Sequence, residues 1–239
     1  MQIEGSTVVI TGANRGLGSH LVDQALAAGA RKVYAASRDG GIVPPSFVDD
    51  DRVVPLTLDI TRDGSVTGAA AAAPDATVLI NNAGVLGFGD VLEGDLALFQ
   101  RDMDTNYFGT LRASRAFLPV VAANGPGAIV NVVTLIALAP VGPMAGYCAS
   151  KAAEHSMTQA LRAAARPLGV EVIGAYPGGL DTEMLAGVEA DKADPAEVAK
   201  RIIAGVDAGA EVIWPDDASA GAGSVYETDP RQLEVLLAR

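Results

Sequence analysis

The sequence predicts a single-domain α/β fold over residues 1–239, a doubly wound, seven-stranded parallel sheet with helices on both faces. Three observations carry this expectation. Short β-branched runs alternate with Ala- and Leu-rich stretches of helical period, the rhythm of repeated βαβ units. Apolar residues make up 49% of the chain, which suits a parallel sheet covered on both sides. The length is enough to bury one large core, and neither a linker nor an internal repeat interrupts it.

The strands are expected at STVVIT (6–11), KVYAA (32–36), VVPLT (53–57), TVLIN (77–81), GAIVNVV (127–133), VEVIGAY (170–176) and EVIW (211–214). The segment LGSHLVDQALAAG follows the first strand as a helix, and DGSVTGAAAAA follows the third. A long helical stretch from about Glu93 to Val121 follows the fourth, YCASKAAEHSMTQALRAAA the fifth and PAEVAKRIIAGV the sixth. Parallel neighbours need right-handed crossovers, so the helices fall on both faces. The exception is DGGIVPPSFVDDD (39–51), which holds two prolines and no helical period and is expected to be a loop-like crossover. The tail from Asp216 to Asp229, rich in Gly, Ala and Ser, is expected to be irregular, with a short helix, PRQLEVLLAR, after it.

Charge and rare residues narrow the function. With 17 basic and 29 acidic residues, the formal net charge is −12. Such a surface repels phosphate backbones, so no nucleic-acid partner is expected. No apolar run reaches the ~18 residues that span a bilayer, and MQIEGSTVVITG lacks a signal-peptide pattern. A cytoplasmic protein without a membrane partner is expected. The single cysteine, Cys148, excludes an intrachain disulfide. His20 and His155 lie far apart in sequence, so no metal site is expected.

The segment TGANRGLG (11–18) ends the first strand and opens the first helix. Gly12, Gly16 and Gly18 let backbone approach a pyrophosphate, and the helix start offers free N–H groups and a positive dipole end. The expected cradle comprises Gly12, Asn14, Arg15, Gly16, Leu17 and Gly18. In NAD enzymes an acid ends the second strand and binds the ribose 2′-hydroxyl. Here Ser37 stands in that place and Arg38 follows it. Arg15 and Arg38 could each give charge-assisted hydrogen bonds to a 2′-phosphate. NADP(H) is the expected cofactor, with NAD(H) as the alternative.

Taken with these, NNAG (81–84), Asn106 in TNYFG, YCASK (147–151) and PGGLDT (177–182) resemble the short-chain dehydrogenase/reductase family in order and spacing. The resemblance covers nearly the whole chain and implies a Rossmann fold. It implies that Asp59, with Ile60 beside it, contacts the adenine, and that Asn82, Ala83 and Gly84 line the cofactor. Pro177, Gly178 and Thr182 would hold the nicotinamide half. Asn106, Thr134, Tyr147 and Lys151 would be the catalytic group, with Tyr147 and Lys151 also at the cofactor. Asn106 would hold a water that links Lys151 to solvent, and Tyr147 would give its proton to the carbonyl oxygen. Physical chemistry agrees: residues four apart share a helix face, and a nearby ammonium favours the phenolate and brings its pKa toward the working range.

Thr134 departs from the family's usual serine but keeps a hydroxyl on a stiffer, β-branched side chain. The family's Gly-rich ending is not recognisable after EVIWPDD. The family's helix-packed interface implies a homodimer, with a homotetramer as the alternative. Ile136, Met144, Leu180 and Met184, with Leu138, Val141 and Leu185 nearby, suggest a lipophilic pocket. The leading expectation is an NADPH-dependent reductase of a small lipophilic ketone or aldehyde. An NAD-dependent secondary-alcohol dehydrogenase and a catalytically silent NADP(H)-binding sensor or scaffold remain the alternatives.

Overall fold

The computed structural model describes residues 1–39, 47 and 49–237. Seven parallel strands form one sheet: β1 (Thr7–Thr11), β2 (Lys32–Ser37), β3 (Val53–Thr57), β4 (Val78–Asn81), β5 (Gly127–Val132), β6 (Val170–Ala175) and β7 (Val212–Ile213). Their order across the sheet is β3-β2-β1-β4-β5-β6-β7. The order reverses between β1 and β4, and in such sheets the crevice outside the strands' carboxyl ends at that point is where ligands bind. The helices are α1 (Gly16–Ala27), α2 (Asp63–Ala72), α3 (Leu96–Asp102), α4 (Thr110–Ala123), α5 (Ala145–Ala165), α6 (Pro195–Asp207), α7 (Asp217–Thr228) and α8 (Pro230–Leu237).

Alternation along the strands divides the core in two. Val8, Ile10, Val78 and Ile80 face one side, where they meet Leu21 and Val22 of α1 and Ile202 and Val206 of α6. Val9, Leu79 and Ile129 face the other, against Val66 of α2, Phe117 and Val121 of α4 and Leu161 of α5. Each fully buried side chain of this kind contributes about 1.5–3 kcal/mol. A polar ladder threads the second layer. Asn81 of β4 donates to Asn131 of β5 at 2.9 Å and to Ser114 of α4 at 3.0 Å. Asn131 in turn donates to Thr158 of α5 at 2.9 Å. Sheet and helices are thereby held in one register.

The long helix expected after the fourth strand is interrupted. Between α3 and α4 lies a π-helical turn, Met103–Gly109. Such turns are rare and cluster at functional sites. The tail requires a correction: Asp217–Thr228 is helical, not irregular. Asp216 accepts the Ser219 N–H, and the Ser219 hydroxyl bonds back to the Asp216 N–H, a reciprocal cap that starts the helix despite its Gly and Ser content. The loop-like crossover expected at 39–51 falls largely on residues 40–46 and 48, outside the described ones. Among the described residues no helix is long and apolar enough to cross a membrane. Nor do three or more His, Cys, Asp or Glu among them gather as a metal site.

Candidate active site

The glycine turn is built by backbone geometry. Gly12 and Gly16 have φ of +67° and +55°, where a side chain is strained. A Cβ on Gly18 would collide with the Gly12 carbonyl oxygen, so α1 can press against the end of β1. Thr11, which closes β1, ties this turn to the next motif. Its hydroxyl oxygen accepts the N–H groups of Asn82 and Ala83, both at 2.9 Å. The Asn82 amide donates to the carbonyls of Thr11 at 3.0 Å and Gly12 at 3.3 Å. Asn14 is half-buried beside the turn, whereas the Leu17 side chain lies in the core. A Cβ placed on Gly16 would sit 3.6 Å from the Thr182 methyl, so the loop after β6 reaches the start of α1.

On the nucleotide side, Ser37 is 5% exposed and its hydroxyl has no partner among the described residues. Arg38 is exposed next to it. Asp59 accepts the Thr61 hydroxyl at 2.7 Å and the Thr61 N–H at 3.0 Å. The hydroxyl bond is the main reason its carboxyl lies below the usual range; Arg38 and Arg62 add to this against the opposing effect of burial. Ile60 is buried and packs so closely on Gly109 that no side chain fits there. The two arginines expected together are apart in their pairing. Arg15 bridges instead to Glu183 at 2.7 Å, with both side chains exposed.

The residues expected to carry the chemistry meet beyond the ends of β4, β5 and β6. Asn106 is fully buried in the π turn. Its amide donates to the Val85 carbonyl and the Ser150 hydroxyl and accepts the Val85 N–H, each at 2.9 Å. The side chain therefore staples the loop after β4 to α5. Lys151, 4% exposed, donates to the Val132 carbonyl at 2.8 Å and to Glu154 at 2.7 Å. Tyr147 is buried one turn earlier on the same helix. Burial, and then the Glu154 carboxylate, push its phenol well above the ordinary range. The Lys151 ammonium, expected to lower this phenol, has a carboxylate at contact distance. Thr134, 6% exposed, donates its hydroxyl to the Pro177 carbonyl at 3.1 Å. This fastens the end of β5 to the PGGLDT loop. Gly178 in that loop donates its N–H to Asp216 at 2.9 Å, which also ties in α7.

The apolar set divides. Leu180 packs on the core beside α6, and Leu138 packs on the small cluster of Val133, Ala137 and Tyr176. Ile136, Val141, Met144 and Leu185 are half-buried, and Met184 is 45% exposed. Sequence reasoning missed Thr11, Ser150, Glu154, Glu183 and Asp216 as parts of the site. Only Asp216 carried a local sign, the D-x-x-S spacing of a helix cap.

A parallel sheet with a glycine cradle at its switch point and a Tyr–Lys pair at the same edge defines a dinucleotide-dependent oxidoreductase. A family profile described as short chain dehydrogenase matches residues 6–193, and the chain belongs to the short-chain dehydrogenase/reductase family, whose members act on CH–OH and C=O groups. It is 29% identical to a 3-alpha-(or 20-beta)-hydroxysteroid dehydrogenase of Mycobacterium bovis, covering 94% of this chain and 88% of that one. It is 34% identical to a galactitol 2-dehydrogenase (L-tagatose-forming) of Cereibacter sphaeroides, over 77% of this chain and 74% of that one. A short-chain dehydrogenase of Burkholderia cenocepacia, solved in complex with NADP, superimposes over 100% of both chains with a TM-score of 0.93 at 39% identity.

Proposed function

We propose that the protein is an NADP(H)-dependent carbonyl reductase, acting on a small lipophilic ketone or aldehyde with Tyr147 as the proton donor. The observation that carries this reading is the set of ties that brings Asn106, Thr134, Tyr147 and Lys151 to one edge of the sheet, beside the glycine cradle. The cradle fits a dinucleotide: Gly12 and Gly16 take the left-handed conformation that shapes the turn, and the Ser37 hydroxyl is buried without a partner among the described residues. Gly12, Asn14, Arg15, Gly16 and the backbone of Leu17 and Gly18 would hold the pyrophosphate. Ser37 and Arg38 would meet a 2′-phosphate, and Asp59 and Ile60 the adenine. Asn82, Ala83, Gly84, Pro177, Gly178 and Thr182 would flank the nicotinamide half. The bound dinucleotide supplies the hydride.

This chain's residues manage the proton. The Tyr147 phenol carries its proton at neutral pH, as a donor to the carbonyl oxygen must. Lys151, one turn away, orients the cofactor ribose. Asn106 spends both amide N–H groups on Val85 and Ser150, and its amide oxygen, which accepts the Val85 N–H, keeps one lone pair for a water. Ile136, Met144 and Met184 would border the substrate, with Leu180 at its margin. The Burkholderia cenocepacia neighbour with NADP supports the cofactor assignment.

The test is a ketone and aldehyde panel assayed with NADPH and with NADH, using the wild type and Tyr147→Phe. The wild type should prefer NADPH, and the phenylalanine variant should lose nearly all reduction, by at least ~10³-fold, while still binding NADPH. Near-normal turnover by the variant would remove Tyr147 as the acid. A second reading, alcohol oxidation with NAD, is favoured by the likeness to galactitol 2-dehydrogenase. A wild type that oxidises secondary alcohols with NAD and ignores ketones would establish it. A homodimer and a cytoplasmic setting complete the proposal, and size-exclusion chromatography with light scattering tests the first.

A further inference from the structure

Glu154 lies on α5 one turn beyond Lys151 and is 1% exposed. One carboxylate oxygen accepts from the Lys151 ammonium at 2.7 Å. The other, Oε1, is buried without a partner among the described residues. A carboxylate placed this deep is costly unless matched by a cation. Its only close cation among the described residues, Lys151, is the one expected to act on Tyr147. Lys151 also donates to the Val132 carbonyl at 2.8 Å, so two of its three N–H bonds point to groups other than the phenol. Tyr147 and Glu154 stand seven residues, two turns, apart on α5; burial and then the Glu154 charge raise the phenol, while burial raises the Glu154 carboxyl against the opposing Lys151 ammonium.

Other charged and titratable groups around this pair leave that balance in place. Asp102, at the end of α3, is buried, accepts the Gly87 N–H at 2.9 Å and pairs with Arg101 at 2.9 Å. Cys148 adjoins Tyr147 and is itself pushed up by burial. Beyond β6, Tyr176 is hydrogen-bonded to His155 at 2.7 Å, and the Glu154 charge reaches its phenol. Arg162, further along α5, is bonded to the Val172 carbonyl at 2.9 Å. None of these supplies Tyr147 with the positive charge that Glu154 cancels.

We propose that Glu154 is a positioning residue that pins Lys151 and cancels its charge, so that Tyr147 stays a phenol and the site favours carbonyl reduction at neutral pH. This rests on the reading of Tyr147 as the acid. Reduction consumes the phenol's proton. The reverse oxidation needs the phenolate to accept the alcohol proton, so Glu154 confines oxidation to alkaline pH.

The experiment measures oxidation and reduction against pH for the wild type, Glu154→Gln and Glu154→Leu. Phenol ionisation is followed in parallel by tyrosinate absorbance, each protein compared with its own Tyr147→Phe partner so that only Tyr147 is read. The glutamine keeps the shape and one hydrogen bond to Lys151 but removes the charge; the leucine removes both. Loss of the charge should move the Tyr147 titration and the alkaline limb of oxidation down by about one pH unit or more, a tenfold gain in phenolate at a given pH. Both variants should shift in the same direction. If glutamine reproduces the wild-type pH profile and only leucine differs, Glu154 serves packing and the proposal is overturned. If the absorbance titration shifts while no carbonyl or alcohol is turned over, the Glu154 assignment stands and the catalytic reading fails. If turnover is present and neither titration nor profile moves, the Glu154 assignment fails alone.

Discussion

Thr134 shows how one hydroxyl can be claimed twice. It has a single proton, and that proton goes to the Pro177 carbonyl at 3.1 Å. The hydroxyl can meet a substrate oxygen only after turning away from this bond. Thr134→Val keeps the shape and loses the bond, which should destabilise the fold by about 1 kcal/mol and free the PGGLDT loop. Turnover per bound substrate should fall at least tenfold, while Thr134→Ser should stay close to the wild type. Denaturant unfolding and steady-state kinetics of both variants check this; a valine variant normal in both would leave the bond without a role. Arg38 poses a simpler question. It is exposed beside Ser37, with Asp59 close enough for the two charges to interact. If Arg38 pairs a 2′-phosphate, Arg38→Ala should raise the Kd for NADPH roughly ten- to a hundred-fold and leave that for NADH unchanged. Calorimetric titration with each cofactor decides it, and equal losses for both would refute the contact.

At the scale of elements, the site depends on helix ends and interruptions more than on helix bodies. Asp216 caps α7 and also accepts the Gly178 N–H. Asp216→Ala should therefore cost about 0.5–2 kcal/mol for the cap alone. It should also raise the substrate KM by loosening Gly178, whereas Asp216→Asn should preserve most of both. Urea unfolding and kinetics on one accepted ketone provide the measurement, and an alanine variant unchanged in KM would separate the cap from the site. The capping pattern was present in the sequence, yet Gly, Ala and Ser in ASAGAGS concealed the helix because their propensities are read residue by residue. The π turn had no such signal. TNYFG reads as continuous helix, and the reason for the widening shows only once Asn106 is seen bonded both to the loop after β4, at Val85, and to α5, at Ser150.

Across the whole molecule, the sheet was legible because burial on both faces demands unbroken Val and Ile runs, and each of the seven found its strand within a residue or two. The glycine turn was legible because backbone conformation restricts residue type: Gly12 and Gly16 occupy the left-handed region. Glu154 was illegible for the converse reason. A glutamate three residues after a lysine on a helix normally signals a solvated ion pair. Its burial here follows from what α5 packs against, the strands and the π turn, and that juxtaposition exists only in the folded chain. Arg15 shows the same limit: its place in the glycine turn suggests a phosphate, and only the fold shows the exposed Glu183 that also reaches it.

The π turn has one more consequence, for how the protein can change by inheritance. A π turn holds one residue more than the α-helical turn it replaces. Losing a single codon within 103–109 would let the segment relax into ordinary α-helix. The downstream half would stay seated through Phe117 and Val121 in the core. Everything upstream of the lost residue would rotate by about 100° and shift along the axis. If the lost residue lies at 107–109, after Asn106, the clamp from Asn106 to Val85 would open while the downstream helix kept its seat. Asn106 is thus held in place by the number of residues in the turn as much as by their identity, so a lineage could lose the clamp by a deletion that changes no side chain of the site.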